Sequence, residues 1–372
     1  MAEFEIFLSC PPGLEALLLG EVNEAGFKGA KATGGGVTIM GGWPEVWRAN
    51  LTLRGPTKVL ARIGEFRAFH LAQLDKRARK FPWAQTLTKG HSVKAEVVTN
   101  RKSKIYHAGA AIERIERAIS EEFGAEIAAS ITDADIIIKA RIDDNNVRLS
   151  VDTSGAALHK RGHKQAMGKA PIRETMAALA LRGCAYTGLE PVLDPMCGSG
   201  TFLIEAAEIA RSLMPGRSRS FAFEKLASFD PAKVNAIKAS WTARNTAQRF
   251  YGSDRNVNVI GFSNENAKRA GVDDICSFSP IPLSKVKRPE GPTGLVIVNP
   301  PYGARIGKKK DLFALYTAFG NLMREEFLGW RVGMITADPH LAQATKLPWR
   351  PTDAPIAHGG LRVKLYRTDQ LT

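Results

Sequence analysis

Two short stretches combine residue types that could act on a ligand. The first, EPVLDPMCGSGTFLIEAAEIA at residues 190 to 210, runs from a short apolar strand ending on Asp194 through a glycine-rich turn into an apolar-periodic helix. Gly198 and Gly200 permit tight or left-handed turns and a close approach of backbone to ligand, and the free N–H groups of the following helix face the same crevice. On such sheets ligands bind at the carboxyl ends of strands, where Asp194 stands. The loop is neither GxGxxG nor GxxxxGK(S/T), and a carboxylate beside it would repel phosphate, so a dinucleotide or nucleoside triphosphate is not indicated. A glycine turn in some other α/β protein is the plainer reading. The second stretch, GLVIVNPPYG at residues 294 to 303, is a buried-type strand stopped by Asn299, Pro300, Pro301 and Tyr302. The prolines fix φ and donate no backbone hydrogen bond, so the carbonyls of Asn299 and Pro300 project from a stiff loop as acceptors. Asn-Pro-Pro alone also reads as a turn.

Taken together, the glycine loop resembles the cofactor loop of class I S-adenosylmethionine-dependent methyltransferases. The second loop resembles the (Asn/Asp)-Pro-Pro-Tyr motif of members that modify exocyclic amino groups of nucleic-acid bases. The resemblance implies S-adenosylmethionine as cofactor, held by Asp194, Pro195, Cys197, Gly198, Gly200 and Thr201. A further acid, Asp254, ends the strand Phe250 to Ser253, a place suited to a ribose diol, because a carboxylate accepts both hydroxyl protons; a helix N-cap is its other reading. The family usually holds the adenine with an Asp after the third strand. This chain has Ser279-Pro280 there, so Asp274 and Ser279 are the weak candidates. If the Asn299 side-chain oxygen and the Pro300 carbonyl accept the two N–H bonds of a base amino group, its lone pair can turn toward the sulfonium methyl, while Tyr302 stacks on the flipped base. No metal is required.

Stepping along the chain, the elements that must carry these loops are legible. Phe4 to Leu8, Val37 to Met40 and Lys58 to Phe66 read as strands, with helices over residues 14–26 and around Val46 to Leu51, a small α+β sheet of ferredoxin type over residues 1–66. Residues 67–155 add a basic helix, the strand Ser92 to Val98, the long helix Lys104 to Phe123, and the strands Ile136 to Arg141 and Val147 to Val151. This unit resembles a THUMP RNA-binding domain, most clearly in VRLSVDTSGAALHKRGHK at its end. Arg101, Lys102 and Lys104, and Lys160, Arg161 and Lys164 after it, are the expected phosphate contacts; a solvated charged face is the alternative. Residues 156–170 read as a linker. A Rossmann-like methyltransferase domain is expected over 171–372. It opens with a helix after Pro171, whose Arg173 and Glu174 read as capping charges. Within it the stretch RSRSFAFEKLASFD is an insertion, and the helix Pro231 to Arg249 is expected to pack back on the sheet. Leu312 to Phe327 reads as a helix, Arg331 to Thr336 and Leu361 to Arg367 as strands. His358-Gly359-Gly360 stands where the family often has Asn-Gly.

Composition bounds the function. The 372 residues allow two or three domains, and a formal charge of +15 spread over both halves fits a polyanion, although a merely soluble basic surface would also carry it. Cys10, Cys184, Cys197 and Cys276 form no CxxC and indicate neither zinc nor a disulfide framework, which suits a reducing cytoplasm. The first residues lack a signal-peptide pattern and no apolar run reaches membrane-span length, so a soluble, non-exported protein without membrane partners is expected. The whole pattern resembles bacterial THUMP-containing guanine-N2 methyltransferases of RNA. The FAFEK insertion resembles the 23S ribosomal RNA branch more than the transfer RNA branch, and both stay open. An RNA-binding assembly factor without catalysis is the reading from another class.

Overall fold

Apolar residues alternate along the early strands and recur with helical period between them, and the backbone follows that pattern. The structure is a computed structural model that describes residues 3–100, 102–165, 172–302 and 309–372. The first part comprises β1 (Phe4–Ser9), α1 (Glu15–Glu24), β2 (Lys31–Thr33), β3 (Gly36–Gly41), α2 (Trp43–Thr52), β4 (Lys58–Arg67), α3 (Leu71–Arg79), β5 (Val93–Thr99), α4 (Ala108–Phe123), β6 (Ile136–Asp143) and β7 (Asn146–Asp152). The second comprises α5 (Glu174–Gly183), β8 (Val192–Asp194), α6 (Thr201–Ala210), α7 (Pro231–Ser240), β9 (Phe250–Ser253), α8 (Val257–Ala270), β10 (Cys276–Ser279), β11 (Leu295–Val298), α9 (Lys309–Glu326), β12 (Arg331–Thr336), α10 (Pro339–Ala344), β13 (Ile356–His358) and β14 (Leu361–Arg367).

The chain divides into two units. One holds Met1–Ser9, Val22–Leu158 and Arg219–Ser240; the other holds Cys10–Glu21, His159–Ser218 and Trp241–Thr372. In the first, seven strands form one sheet in the order β2-β3-β1-β4-β7-β6-β5. The expected boundary at residue 66 falls inside β4, which pairs with β7 from Leu60↔Asp152 to Arg67↔Asn146 across a bulge at Arg62/Gly64. α4 starts later than Lys104: His107 is its N-cap, its ring nitrogen accepting the Ala110 N–H at 3.1 Å. Residues 102–107 are instead a loop braced by Asn145, whose side chain accepts the Lys104 N–H at 2.8 Å.

From Arg219 on, the insertion groups with this first unit together with α7, not with the second sheet, which differs from the sequence expectation. The cause is local anchoring. The Arg219 guanidinium donates to the carbonyls of Ser154, Ala156 and Ala157, and the rings of Phe221 and Phe223 stack 4.9 Å apart and are buried. Thr88 donates to the Lys225 carbonyl at 2.6 Å. After Ser240 the chain leaves the helix, so α7 is shorter than the expected helix to Arg249.

In the second unit the sheet order is β10-β9-β8-β11-β12-β14-β13. The first five are parallel, and β14 returns antiparallel to β12. β13 forms a hairpin with β14 through Gly359 (φ +56°) and Gly360 (φ +81°), so the His358-Gly359-Gly360 sequence closes a tight turn that needs two left-handed residues. Strand order reverses between β8 and β11, the place where open α/β sheets bind ligands beyond their carboxyl edge. Leu295–Val298 are fully buried there, and Val296 and Val298 pack with Tyr316, Phe319, Met323, Phe327 and Trp330. Among the described residues no helix is long and apolar enough to cross a membrane.

Candidate active site

The register of β8 against β11 (Leu295↔Val192, Val296↔Leu193) makes Asp194 and Asn299 issue from neighbouring strands at the same edge. β9 lies on the other side of β8, with Asp194 opposite Gly252, and delivers Asp254 to that edge too. Three acids or amides singled out by sequence therefore converge through the order of three strands.

The backbone of the glycine loop is held by side chains and by the neighbouring strand β9. Asp194 accepts the Met196 N–H at 3.0 Å, the Cys197 N–H reaches the Ser253 carbonyl at 2.9 Å, and the Gly198 N–H reaches Asp254 at 3.2 Å. Gly198 has φ +52° and Gly200 φ +80°; a Cβ on Gly200 would stand 3.0 Å from the Phe278 ring, so only glycine fits without displacing it. Thr201 opens α6 directly behind. Two residues missed from the sequence pin the loop from α8: Ser263 donates to the Gly198 carbonyl at 2.7 Å, and the Asn266 amide to the Ser199 carbonyl at 3.2 Å, both side chains fully buried. Burial pushes the Asp194 carboxyl up to about 8, with the Met196 N–H opposing and the Asp254 charge adding.

Asp254 is half-buried. Its second oxygen accepts the Asn256 N–H at 2.9 Å, while Asn256 itself caps α8, so the capping reading of Asp254 passes to its neighbour. Each carboxylate oxygen keeps a further lone-pair site for a ligand hydroxyl. Of the two candidates for an adenine contact, Asp274 precedes β10 at the opposite, amino edge of the sheet and pairs with Arg211. Ser279 ends β10 at the site's edge, where its carbonyl accepts the Asp254 N–H at 3.3 Å.

The proline loop is built differently. Asn299 follows β11, and its Oδ1 is buried without a hydrogen-bond partner among the described residues. A buried acceptor left open costs roughly 1–3 kcal/mol unless a ligand supplies a donor. Pro300 is buried. Tyr302 packs half-buried against the α9 cluster, and burial pushes its phenol up. The loop's anchor is Tyr316, another residue sequence reading missed: its hydroxyl donates to the Pro301 carbonyl at 3.3 Å and lies 3.1 Å from Thr336 Oγ1. A proline pair has no N–H of its own to tie down, so the restraint comes from outside. Gly303 lies outside the described residues.

The expected phosphate contacts fare unevenly. Arg161 is not on a surface: it pairs with Glu205 at 3.2 Å, the side chains 2% and 1% exposed. Lys164 is half-buried and turned inward, donating to Thr201 Oγ1 at 2.8 Å and the Ile172 carbonyl at 2.9 Å, with Glu174 at 3.5 Å. The reason is charge balance. α5 and α6 bury Glu174, Glu205 and Glu208, and cations around them neutralise these carboxylates: Lys164 at Glu174, Arg161 at Glu205 and Arg217 at Glu208. Burial pushes Lys164 down and Glu174 up, each opposed by the other's charge. A cavity of about 10 Å³ between these residues and Ser199 has room for about one water. Glu174 is thus a buried ion-pair partner beyond simple capping. Lys160, Lys102 and Lys104 are exposed, and Arg101 lies outside the described residues.

Comparison with known proteins places the chain in a family. The family described as RMKL-like, methyltransferase domain matches residues 161–361, and the RlmL ferredoxin-like domain matches residues 5–60. The chain is similar to the ribosomal RNA large subunit methyltransferase K/L of Vibrio cholerae, 34% identical over 351 residues covering 90% of this chain and 49% of that protein. It is likewise similar to the same-named protein of Psychromonas ingrahamii, 34% identical over 348 residues, 90% of this chain and 46% of that one. The chain thus spans about half the length of the curated relatives it matches. Among solved structures, a possible methylase from Clostridium difficile 630 superposes with TM-score 0.88 at 27% identity, over 100% of this chain and 99% of that one. A methyltransferase complexed with SAH does so with TM-score 0.88 at 25% identity, over 100% and 99%. The fold is therefore a Rossmann-like methyltransferase domain preceded by a ferredoxin-like domain.

Proposed function

The chain belongs to the family of RMKL-like methyltransferase domains, and from that premise we infer that it methylates the N2 amino group of a guanine in 23S ribosomal RNA with S-adenosylmethionine as donor. The observation that carries the reading is the open Asn299 acceptor at the strand-order reversal, one strand away from a glycine loop whose Gly200 leaves no room for a Cβ. That cradle, with Asp254 beside it, fits the cofactor: Gly198, Gly200 and Thr201 with Asp194, Pro195 and Cys197 would hold its amino-acid part, and Asp254 its ribose. When bound, S-adenosylmethionine supplies an electrophilic methyl group.

The amino group of guanine is a poor nucleophile because its lone pair is delocalised into the ring. Asn299 Oδ1 and the Pro300 carbonyl accept its two N–H bonds and localise that pair, and Tyr302 offers a ring for the flipped base to stack on. Tyr316 keeps the loop in place through Pro301. Residues 67–155, in the THUMP-like reading, supply affinity through Lys102, Lys104 and Arg101, and residues 171–372 supply chemistry. The name shared by the curated relatives favours ribosomal over transfer RNA. Mass spectrometry of nucleosides from ribosomal and transfer RNA fractions of a deletion strain tests this. Loss of N2-methylguanosine from 23S RNA is expected; loss from transfer RNA, or loss of N6-methyladenosine, moves the substrate elsewhere, and no loss at all favours a non-catalytic assembly factor.

A further inference from the structure

We infer that the first unit carries a stacking site for unpaired RNA nucleotides, formed by Phe69, Tyr106 and Lys104 with Arg67 and Lys102 flanking them. The inference rests on the RNA reading above and adds where, and in what form, the strand is held. Tyr106 is 75% exposed and Phe69 38% exposed, and the Lys104 ammonium stands 5.5 Å from the Phe69 ring centroid. The exposed part of each ring contributes little to folding and leaves an aromatic face open to a ligand beside the Lys104 cation.

The two loops that bear them are fixed by one turn. Asn145, at φ +61° in the turn between β6 and β7, accepts the Ala68 N–H on its carbonyl at 2.9 Å and the Lys104 N–H on its side chain at 2.8 Å. Ser103 bonds the Ile142 carbonyl at 3.2 Å, and Thr99 the Ile105 carbonyl at 2.6 Å. The segment from Lys102 to Tyr106 is therefore pre-positioned, which lowers the ordering cost of binding.

Charge selects the ligand. Among the described residues Arg67, Lys102 and Lys104 have no carboxylate partner, and of the nearby acids Asp143 is already engaged by Asn100 and, at 3.8 Å, by Arg141; Asp144 is exposed on the turn. Rings beside unpaired cations match a base next to its phosphate. A duplex hides its base faces, so such a surface favours single-stranded or looped-out nucleotides.

The test uses the full chain and fluorescence anisotropy with a labelled oligouridine of about 12 nucleotides, and a duplex of the same length, across a salt series. Tyr106→Ala and Phe69→Leu should each weaken single-strand binding about tenfold, with the salt slope and duplex binding unchanged. Lys104→Ala should weaken both and lower the salt slope by about one. The aromatic variants remove exposed rings, and Phe69→Leu keeps apolar volume, so unchanged melting temperatures are expected. If the wild-type chain binds RNA and the aromatic variants bind it equally well, the site is wrong; that outcome, together with altered self-association in sedimentation, would make the patch a contact between copies. Equal losses on duplex and single strand overturn the stacking role. A wild-type chain that binds no RNA overturns the RNA reading itself.

Discussion

Two loops leave adjacent strands of the same sheet and solve opposite problems. The glycine loop after β8 is tied down from outside: the Met196, Cys197 and Gly198 N–H groups go to Asp194, Ser253 and Asp254, and the Gly198 and Ser199 carbonyls are taken by Ser263 and Asn266. The proline loop after β11 has no N–H to spend at Pro300 or Pro301, and its buried Asn299 Oδ1 has no partner among the described residues. On the proposed reading, the first would receive the cofactor against fixed backbone, and the second would meet a donor that arrives with the substrate. Binding and turnover should therefore be separable by mutation.

The largest separation is expected at Asn299. Asn299→Ala should lower methyl transfer about a hundredfold or more while calorimetric affinity for S-adenosylmethionine stays within experimental scatter, since the residue follows a different strand from Asp254. Retained turnover would remove its proposed role, and a matching loss of cofactor affinity would erase the contrast between the loops. Asp254→Ala should do the reverse and weaken cofactor binding about tenfold or more, the value of a good charge-assisted hydrogen bond of about 1.5 to 3 kcal/mol. Because that change also frees the Gly198 and Asn256 N–H groups, Asp254→Asn, which keeps an acceptor oxygen, separates ligand contact from loop support. Unchanged affinity in both variants would refute the ribose assignment.

The same contrast explains what was legible beforehand. Asp194, Gly198, Gly200, Asn299 and Pro300 announce themselves because glycine and proline dictate backbone geometry wherever they occur, and the strands beside them are short apolar runs. Ser263, Asn266 and Tyr316 give no such signal. They sit on amphipathic helices and act on loops far away in sequence, so their partners emerge only once α8 and α9 are packed. Arg161 and Lys164 misled for a related reason. A basic run reads as surface unless one knows that Glu205 and Glu208, carried by an apolar helix, will be buried and in need of cations. α7 showed its helix but not its unit, because helical periodicity does not say which sheet a face will meet. The late start of α4 turned on His107, an N-cap outside the usual Ser, Thr, Asp and Asn.

The smallest effect expected is a pH dependence that belongs to the glycine loop alone. Asp194 is raised from 3.8 to about 8, chiefly by burial. The folded state therefore holds this proton more tightly than the unfolded chain does. Its contribution to stability is fully present below pH 3.8 and is lost progressively as pH rises toward about 8, above which the loss is complete. Asp194→Asn places a neutral side chain of the same shape in the same burial and can keep the acceptor for the Met196 N–H, so it has no proton to lose. Melting curves for both proteins across that range, without cofactor, should show the wild type declining relative to the variant as pH rises, with the gap widening toward the alkaline end. Parallel curves for Asp194→Asn and the wild type would mean that Asp194 is ionised in the folded protein throughout, and that the loop is held by a charge its burial does not suppress.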